Sequence, residues 1–501
     1  MITGKEYLAK TSVIGVQRIA SKVLSLLYWI IITSIFTLQE IGIIAILAIV
    51  VNTSVPVTLL RVYSYAEYKI SHSLGEKRWD VIHGTVVKTL GITLLLAVII
   101  GLGLTFMAKP VVEILNISTE FILLIQLTGI AIIVSPFFKL GDSFLRGLLR
   151  GNAIAIMSFI QPLTLVISGF ILFPFLRLIG LPIAWIISSS ISFLTSIYFV
   201  RDVLKFPSKS PPLKEIFAFS LPLCGAGIIK FFSTRIDQFI VLVFLGIEAL
   251  GLYFLVLEGV EILVYLSRTL LALFFPTMCE ALEYGRSRAQ LVLSRVFKFV
   301  STLAFPLFVF SAIIGFPFFS LIFFGKIVGG QILFAILCLV FAFNSFRAIL
   351  EFVLLADGYK NVPIQIAGIS FIIRLIFLPV LLVISPTIDV IGVVYVVELF
   401  AITLFAFAYF KKQISISIPV FSLFKIISAC GIAAILLFLL STLTSGLRYL
   451  LVELGGAVIV YLAFISFLRA FDKDDFRFLK TVSPKILHPL IEFLAKLGKV
   501  Y

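Results

Sequence analysis

Twelve ionisable side chains stand inside strongly apolar stretches of this 501-residue sequence: Arg18, Lys22, Lys230, Arg235, Asp237, Glu258, Glu261, Arg268, Arg347, Glu351, Arg374 and Glu398. A charge at mid-bilayer costs at least ~2.5–3.5 kcal/mol, so such residues turn towards a cavity or a partner. Their spacing is ordered. Arg18, Lys22, Ser25 and Trp29 fall at i, i+4, i+7 and i+11, which puts two cations on one helix face. Glu258, Glu261, Tyr265 and Arg268 form a similar stripe, and Asn344, Arg347 and Glu351 another. Lys230 and Asp237 share a face, while Arg374 and Glu398 stand singly.

Bases in such a setting suit an anion, above all a phosphate, whose oxygens a guanidinium grips at two points. Arg18, Lys22, Lys230, Arg235, Arg268, Arg347 and Arg374 are therefore the candidate ligand-binding residues. The acids Asp237, Glu258, Glu261, Glu351 and Glu398 are candidates for coupling to H⁺ or Na⁺, with Asp237 and Glu398 foremost. Arg347 with Glu351, and Arg268 with Glu261, read equally well as internal ion pairs. Arg18 and Lys22 have no acid in their segment, and snorkelling towards headgroups is their alternative. Arg374 has no local partner and lies where snorkelling is hard.

Other chemistries find little support. The four cysteines are more than fifty residues apart, with no CxxC or CxxxH spacing, so neither a disulfide framework nor a metal site is expected. Three scattered histidines do not make a proton relay. No cofactor is implied beyond a coupling ion.

These residues must be held by membrane helices. The chain is 61% apolar and 13% charged, with a mean hydropathy of +1.20. Soluble domains average roughly 45–50% apolar and about 25% charged, which excludes a cytosolic enzyme, a secreted disulfide scaffold and a disordered tail protein. About 20 apolar residues cross a bilayer. That ruler predicts an all-α polytopic membrane protein with fourteen spans, at 12–36, 41–60, 84–107, 120–140, 152–173, 181–200, 217–245, 250–275, 296–320, 330–355, 363–384, 390–410, 422–443 and 450–468. One set of connections holds 26 Lys/Arg and the other four, which places both termini in the cytoplasm. The net charge of +15 thus reports orientation and does not call for a nucleic-acid partner. The opposite, outer connections are short, leaving no room for the domain that a membrane glycosyltransferase or ligase usually carries.

The chain also repeats. At an offset of 210, Leu74–Lys88 (LGEKRWDVIHGTVVK) pairs with Tyr284–Lys298 (YGRSRAQLVLSRVFK), matching Gly75, Arg78, Val86 and Lys88 to Gly285, Arg288, Val296 and Lys298. The turns LQEIG (Leu38–Gly42) and IEALG (Ile247–Gly251) correspond near that offset, as do LLRGN and LLADG further on. Six spans per unit give parallel copies, hence two lobes around a central cleft. The expected divisions are 1–213, 214–410 and an appendix of two spans plus tail over 411–501. A basic, Pro-rich linker at Arg201–Glu215 joins the lobes. The tail from Pro489 has the pattern of an interfacial amphipathic helix.

Two six-span units, a basic loop after span 2 echoed after span 8, and two extra spans resemble the MOP flippase superfamily. RIDQFIVLVFLGIEALGLYFLVL (Arg235–Leu257) is similar to a signature of its polysaccharide-exporter branch. Lipid II flippases and multidrug exporters share the architecture. The resemblance implies alternating access and a lipid-linked oligosaccharide or polysaccharide precursor as substrate, held by its phosphate, with glycan-assembly enzymes as partners. A cation or drug antiporter would favour a more acidic cleft than seven bases to five acids.

Overall fold

A computed structural model describes residues 21–114, 119–359, 361–414, 417–443, 447–473, 475–476 and 488–498. Among these the chain is all-helical. The elements are α1 (Ser21–Ile35), α2 (Leu38–Leu59), α3 (Val62–Gly75), α4 (Trp79–Phe106), α5 (Ala108–Ile114), α6 (Ile122–Gly147), α7 (Gly151–Leu176) and α8 (Gly180–Val200). They continue as α9 (Leu213–Glu283), α10 (Arg286–Phe310), α11 (Phe316–Ile322), α12 (Gln331–Ala356), α13 (Val362–Ile384), α14 (Asp389–Gln413), α15 (Val420–Leu443), α16 (Leu447–Phe467) and α17 (His488–Leu497). Ten helical runs are long and apolar enough to cross a membrane, with shorter apolar helices at Ser21–Ile35 and Val452–Phe467. Two of the ten runs join a pair of expected spans, so every expected span has a helical counterpart. The first half of span 1, with Arg18, lies outside the described residues.

The 71-residue α9 is two helices joined at Gly246, whose φ of 86° and ψ of −175° a side chain would not tolerate. Its arms, 213–245 and 247–283, are spans 7 and 8. A π turn at Ser311–Gly315 follows Pro306 in α10, where the ring removes a backbone donor. The amphipathic tail takes shape as α17.

Two compact units result. The first holds the described residues through Gln238 together with Gly246–Phe254; the second holds Phe239–Leu245 and the residues from Leu255. In the first, α6 is the hub, packing on α8, α4 and α3. The buried side chains Ile70, Ile82, Leu140, Phe144, Met157 and Val200 close its core. The start of α9 belongs here because Ile216 is buried against Val62 and Tyr65 of α3. Glu215 beside it accepts from Lys69 at 2.7 Å and from the Tyr65 hydroxyl at 3.0 Å. Burial, and then the Glu215 carboxylate, push the Tyr65 phenol above its ordinary range, so it remains a donor. The linker after α8 folds back on α4: Phe206 stacks on Trp79, and the Lys209 N–H donates to the Asp80 carbonyl at 3.0 Å.

In the second unit α10 packs on α12 and α15, α12 on α14, and α13 on α14. The appendix is fastened to α10. The Gln290 amide exchanges two 2.7 Å hydrogen bonds with the backbone of Ser417, and the Tyr461 hydroxyl donates to the Thr302 carbonyl at 3.0 Å. Lys298, 5% exposed, pairs with Asp472 at 2.8 Å and with Asp475 at 2.7 Å.

Candidate functional site

Span 7 carries three of the candidate residues in the first unit. Lys230 is exposed, Arg235 half-buried and Asp237 fully buried. Lys230 and Asp237 were expected to share a helix face. Two turns apart, they meet different surroundings, and only Asp237 is enclosed. Its carboxylate accepts the Tyr253 hydroxyl from span 8 and the Gln238 N–H, the latter at 2.9 Å. Gln238 is also fully buried, and neither its amide oxygen nor its nitrogen has a hydrogen-bond partner among the described residues. A buried, unsatisfied amide next to a buried carboxylate is costly and calls for an occupant or a change of state. The hydropathy pattern gave no weight to Gln238, because a single neutral polar residue barely alters a span.

Lys230 and Arg235 form no ion pair among the described residues. Lys22, on α1, is half-buried and makes an interaction of its own. Below it Trp29 packs edge-on against Phe254 at 5.2 Å, joining span 1 to span 8 within the first unit.

The second unit treats its charges differently. Arg374, expected to stand without a partner, is corrected by the structure. Its Nε lies 2.6 Å from Glu398 Oε2 and its Nη2 3.1 Å from Oε1, with the Tyr395 ring 4.3 Å from the guanidinium carbon. The two residues are 24 apart in sequence but adjacent across antiparallel α13 and α14, buried to 8% and 6% exposure. Glu398, likewise expected to stand singly, is the other half of this pair. Arg347 pairs with Glu351 one turn on, and its Nε donates to Asn344 Oδ1 at 2.6 Å. Arg268 and Glu261 lie 3.9 Å apart with both side chains largely open. Glu258 is half-buried and has a partner of its own. Among the described residues, then, the second unit joins its three candidate bases to acids, whereas span 7 leaves two unmatched. No group of three or more potential metal ligands occurs among the described residues.

Comparison with known proteins agrees with this architecture. Residues 31–326 match the family described as "Polysaccharide biosynthesis protein". The lipid II flippase MurJ in an inward closed conformation is similar in structure, with a TM-score of 0.67 and 15% identity over 91% of this chain and 98% of that one. A multidrug resistance MATE family transporter of the MOP superfamily, inward-facing, gives 0.64 and 13% over 79% and 94%. A MOP superfamily transporter from Pyrococcus furiosus gives 0.56 and 13% over 82% and 96%. At these identities the likeness establishes the fold. No curated protein sequence matched the chain.

Proposed function

We propose that this chain, which belongs to the polysaccharide biosynthesis protein family, is a flippase that carries a lipid-linked oligosaccharide or polysaccharide precursor across the cytoplasmic membrane. The observation that carries this reading is the pair of bases on span 7, Lys230 and Arg235, which no acid among the described residues neutralises. An isoprenyl-linked sugar bears a phosphate or diphosphate that cannot enter hydrocarbon bare. Lysine and arginine in a hydrated cleft replace part of its water shell, while the prenyl tail stays in lipid. Arg18 and Lys22 join this set, and alternating access moves the headgroup from one side to the other.

The paired acids of the second unit are poor ion carriers, since releasing Glu398 would strand Arg374 in a dry site. Coupling to H⁺ or Na⁺ is therefore assigned to Asp237, with the Gln238 amide beside it. The bias of basic residues supports cytoplasmic termini, so a tag after Lys499 is expected to be reachable only from inside.

Purified protein in vesicles carrying a fluorescent isoprenyl-diphosphate-linked sugar tests the reading. Translocation above that of empty vesicles is expected, with loss in Lys230→Ala and Arg235→Ala variants that still insert normally. Wild-type protein that leaves the lipid on its original side overturns it.

A further inference from the structure

Arg61 stands at a break where the chain changes direction inside the first unit. Leu60 and Arg61 adopt φ of 41° and 59°, the left-handed region that is strained for a residue with a side chain. The break ends α2 and starts α3. At such a turn, residues two apart can meet, which they cannot do on a regular helix. Arg61 accordingly donates to the Tyr63 hydroxyl, and its guanidinium carbon lies 5.5 Å from the Tyr63 ring centre. The Lys139 ammonium, from α6, lies 5.6 Å from the same ring. Two cations thus share one aromatic side chain.

Their neutralisation is incomplete. Lys139 reaches Asp142 at 3.8 Å, but that carboxylate is already held by Arg146 at 2.9 Å. Glu67 also acts on Arg146. Arg61 itself has no carboxylate partner among the described residues. It is only half-buried, so its remaining donors have access to a ligand. Gly227 of span 7 makes the room: a Cβ there would stand 3.3 Å from Arg61 Nε. Lys230, another unmatched base, follows one turn later on the same helix.

We propose that Arg61, with Lys139 and Tyr63, is a phosphate-binding site on the cytoplasmic side of the first unit, which takes the phosphate or diphosphate of the isoprenyl-linked substrate as it enters. The inference rests on the flippase reading above. The guanidinium binds two phosphate oxygens, Lys139 adds a point charge, and the Tyr63 ring keeps both cations facing one spot.

The test is equilibrium binding of farnesyl diphosphate to the full-length protein in nanodiscs, made either of phosphatidylcholine alone or with added phosphatidylglycerol. In both lipids, Arg61→Ala should weaken binding tenfold or more and Lys139→Ala severalfold. Arg61→Lys, which keeps the charge but loses the two-point grip, should fall between. Gly227→Ala, which crowds the guanidinium without touching its charge, should weaken binding and serves if Arg61→Ala does not fold. Equal binding by wild type and all four variants overturns the site while leaving the flippase reading intact. An effect of Arg61→Ala seen only with phosphatidylglycerol present identifies a bilayer headgroup contact and also overturns it. Failure of wild-type protein both to bind the probe and to translocate a lipid-linked sugar overturns the flippase reading itself.

Discussion

Gly42 and Gly251 face one another backbone to backbone. A Cβ on Gly42 would fall 2.1 Å from the Ile247 carbonyl oxygen, and one on Gly251 would fall 2.4 Å from the Leu38 carbonyl oxygen. They close the related turns LQEIG and IEALG, at the ends of spans 2 and 8 away from the basic loops. Two helices approach this closely only where side chains are absent. Gly42→Val or Gly251→Val should therefore force the helix ends apart, at a cost of about 1–3 kcal/mol from overpacking. In a background whose four native cysteines are serine, a cysteine at Leu38 should react faster with a membrane-impermeant maleimide once Gly251 is valine. Unchanged labelling would show that the contact is not a closure of that side.

That contact was half legible in the sequence. The recurring turns were visible, and the apolar runs placed the helices long enough to cross a bilayer, because length and composition alone decide that capacity. Which intramembrane charges touch was not legible. Arg374 and Glu398 meet only because α13 and α14 are antiparallel neighbours turned to a particular angle. Helices that are apolar on nearly every face carry little periodicity to report that angle. Arg61 was hidden for another reason. Its position directly after a span reads as an ordinary orientation charge, and the left-handed break that swings it onto Tyr63 has no glycine to announce it.

The Arg374–Glu398 pair separates a strut from a ligand. Arg374→Ala leaves a buried carboxylate unmatched and should destabilise the protein by about 3–5 kcal/mol, seen as a lower midpoint of thermal unfolding. Replacing both residues, as Arg374→Met with Glu398→Leu, should restore most of that loss. The double variant should also translocate substrate. A stable double variant that has lost translocation would return Arg374 to the ligand-binding residues.

Asp237 is enclosed with Tyr253 and Gln238 inside the first unit. Asp237→Asn preserves shape but removes the charge that an entering H⁺ or Na⁺ would balance. Moving one charge through 100 mV is worth about 2.3 kcal/mol, so losing the carrier should remove most of the gradient dependence of translocation. The measurement is initial rate in vesicles with and without an imposed pH or Na⁺ gradient. An Asn variant that still responds to the gradient as wild type does would take the role away from Asp237.

Lys298 ties the segment after α16 to α10. Its ammonium satisfies Asp472 and Asp475, Arg295 approaches Asp475 at 4.0 Å, and Phe471 stacks on Phe299 at 5.5 Å. Asp475 is only 2% exposed, so it depends on that cation. Lys298→Met should leave two carboxylates competing for Arg295, and the segment should lift from the helix. Arg469 and Lys473 lie within this segment and supply trypsin sites that docking should protect. Cleavage there should quicken severalfold in Lys298→Met and stay near the wild-type rate in Lys298→Arg, which keeps the charge. Equal cleavage in all three proteins would mean that the segment after α16 stays docked without the Lys298 charge.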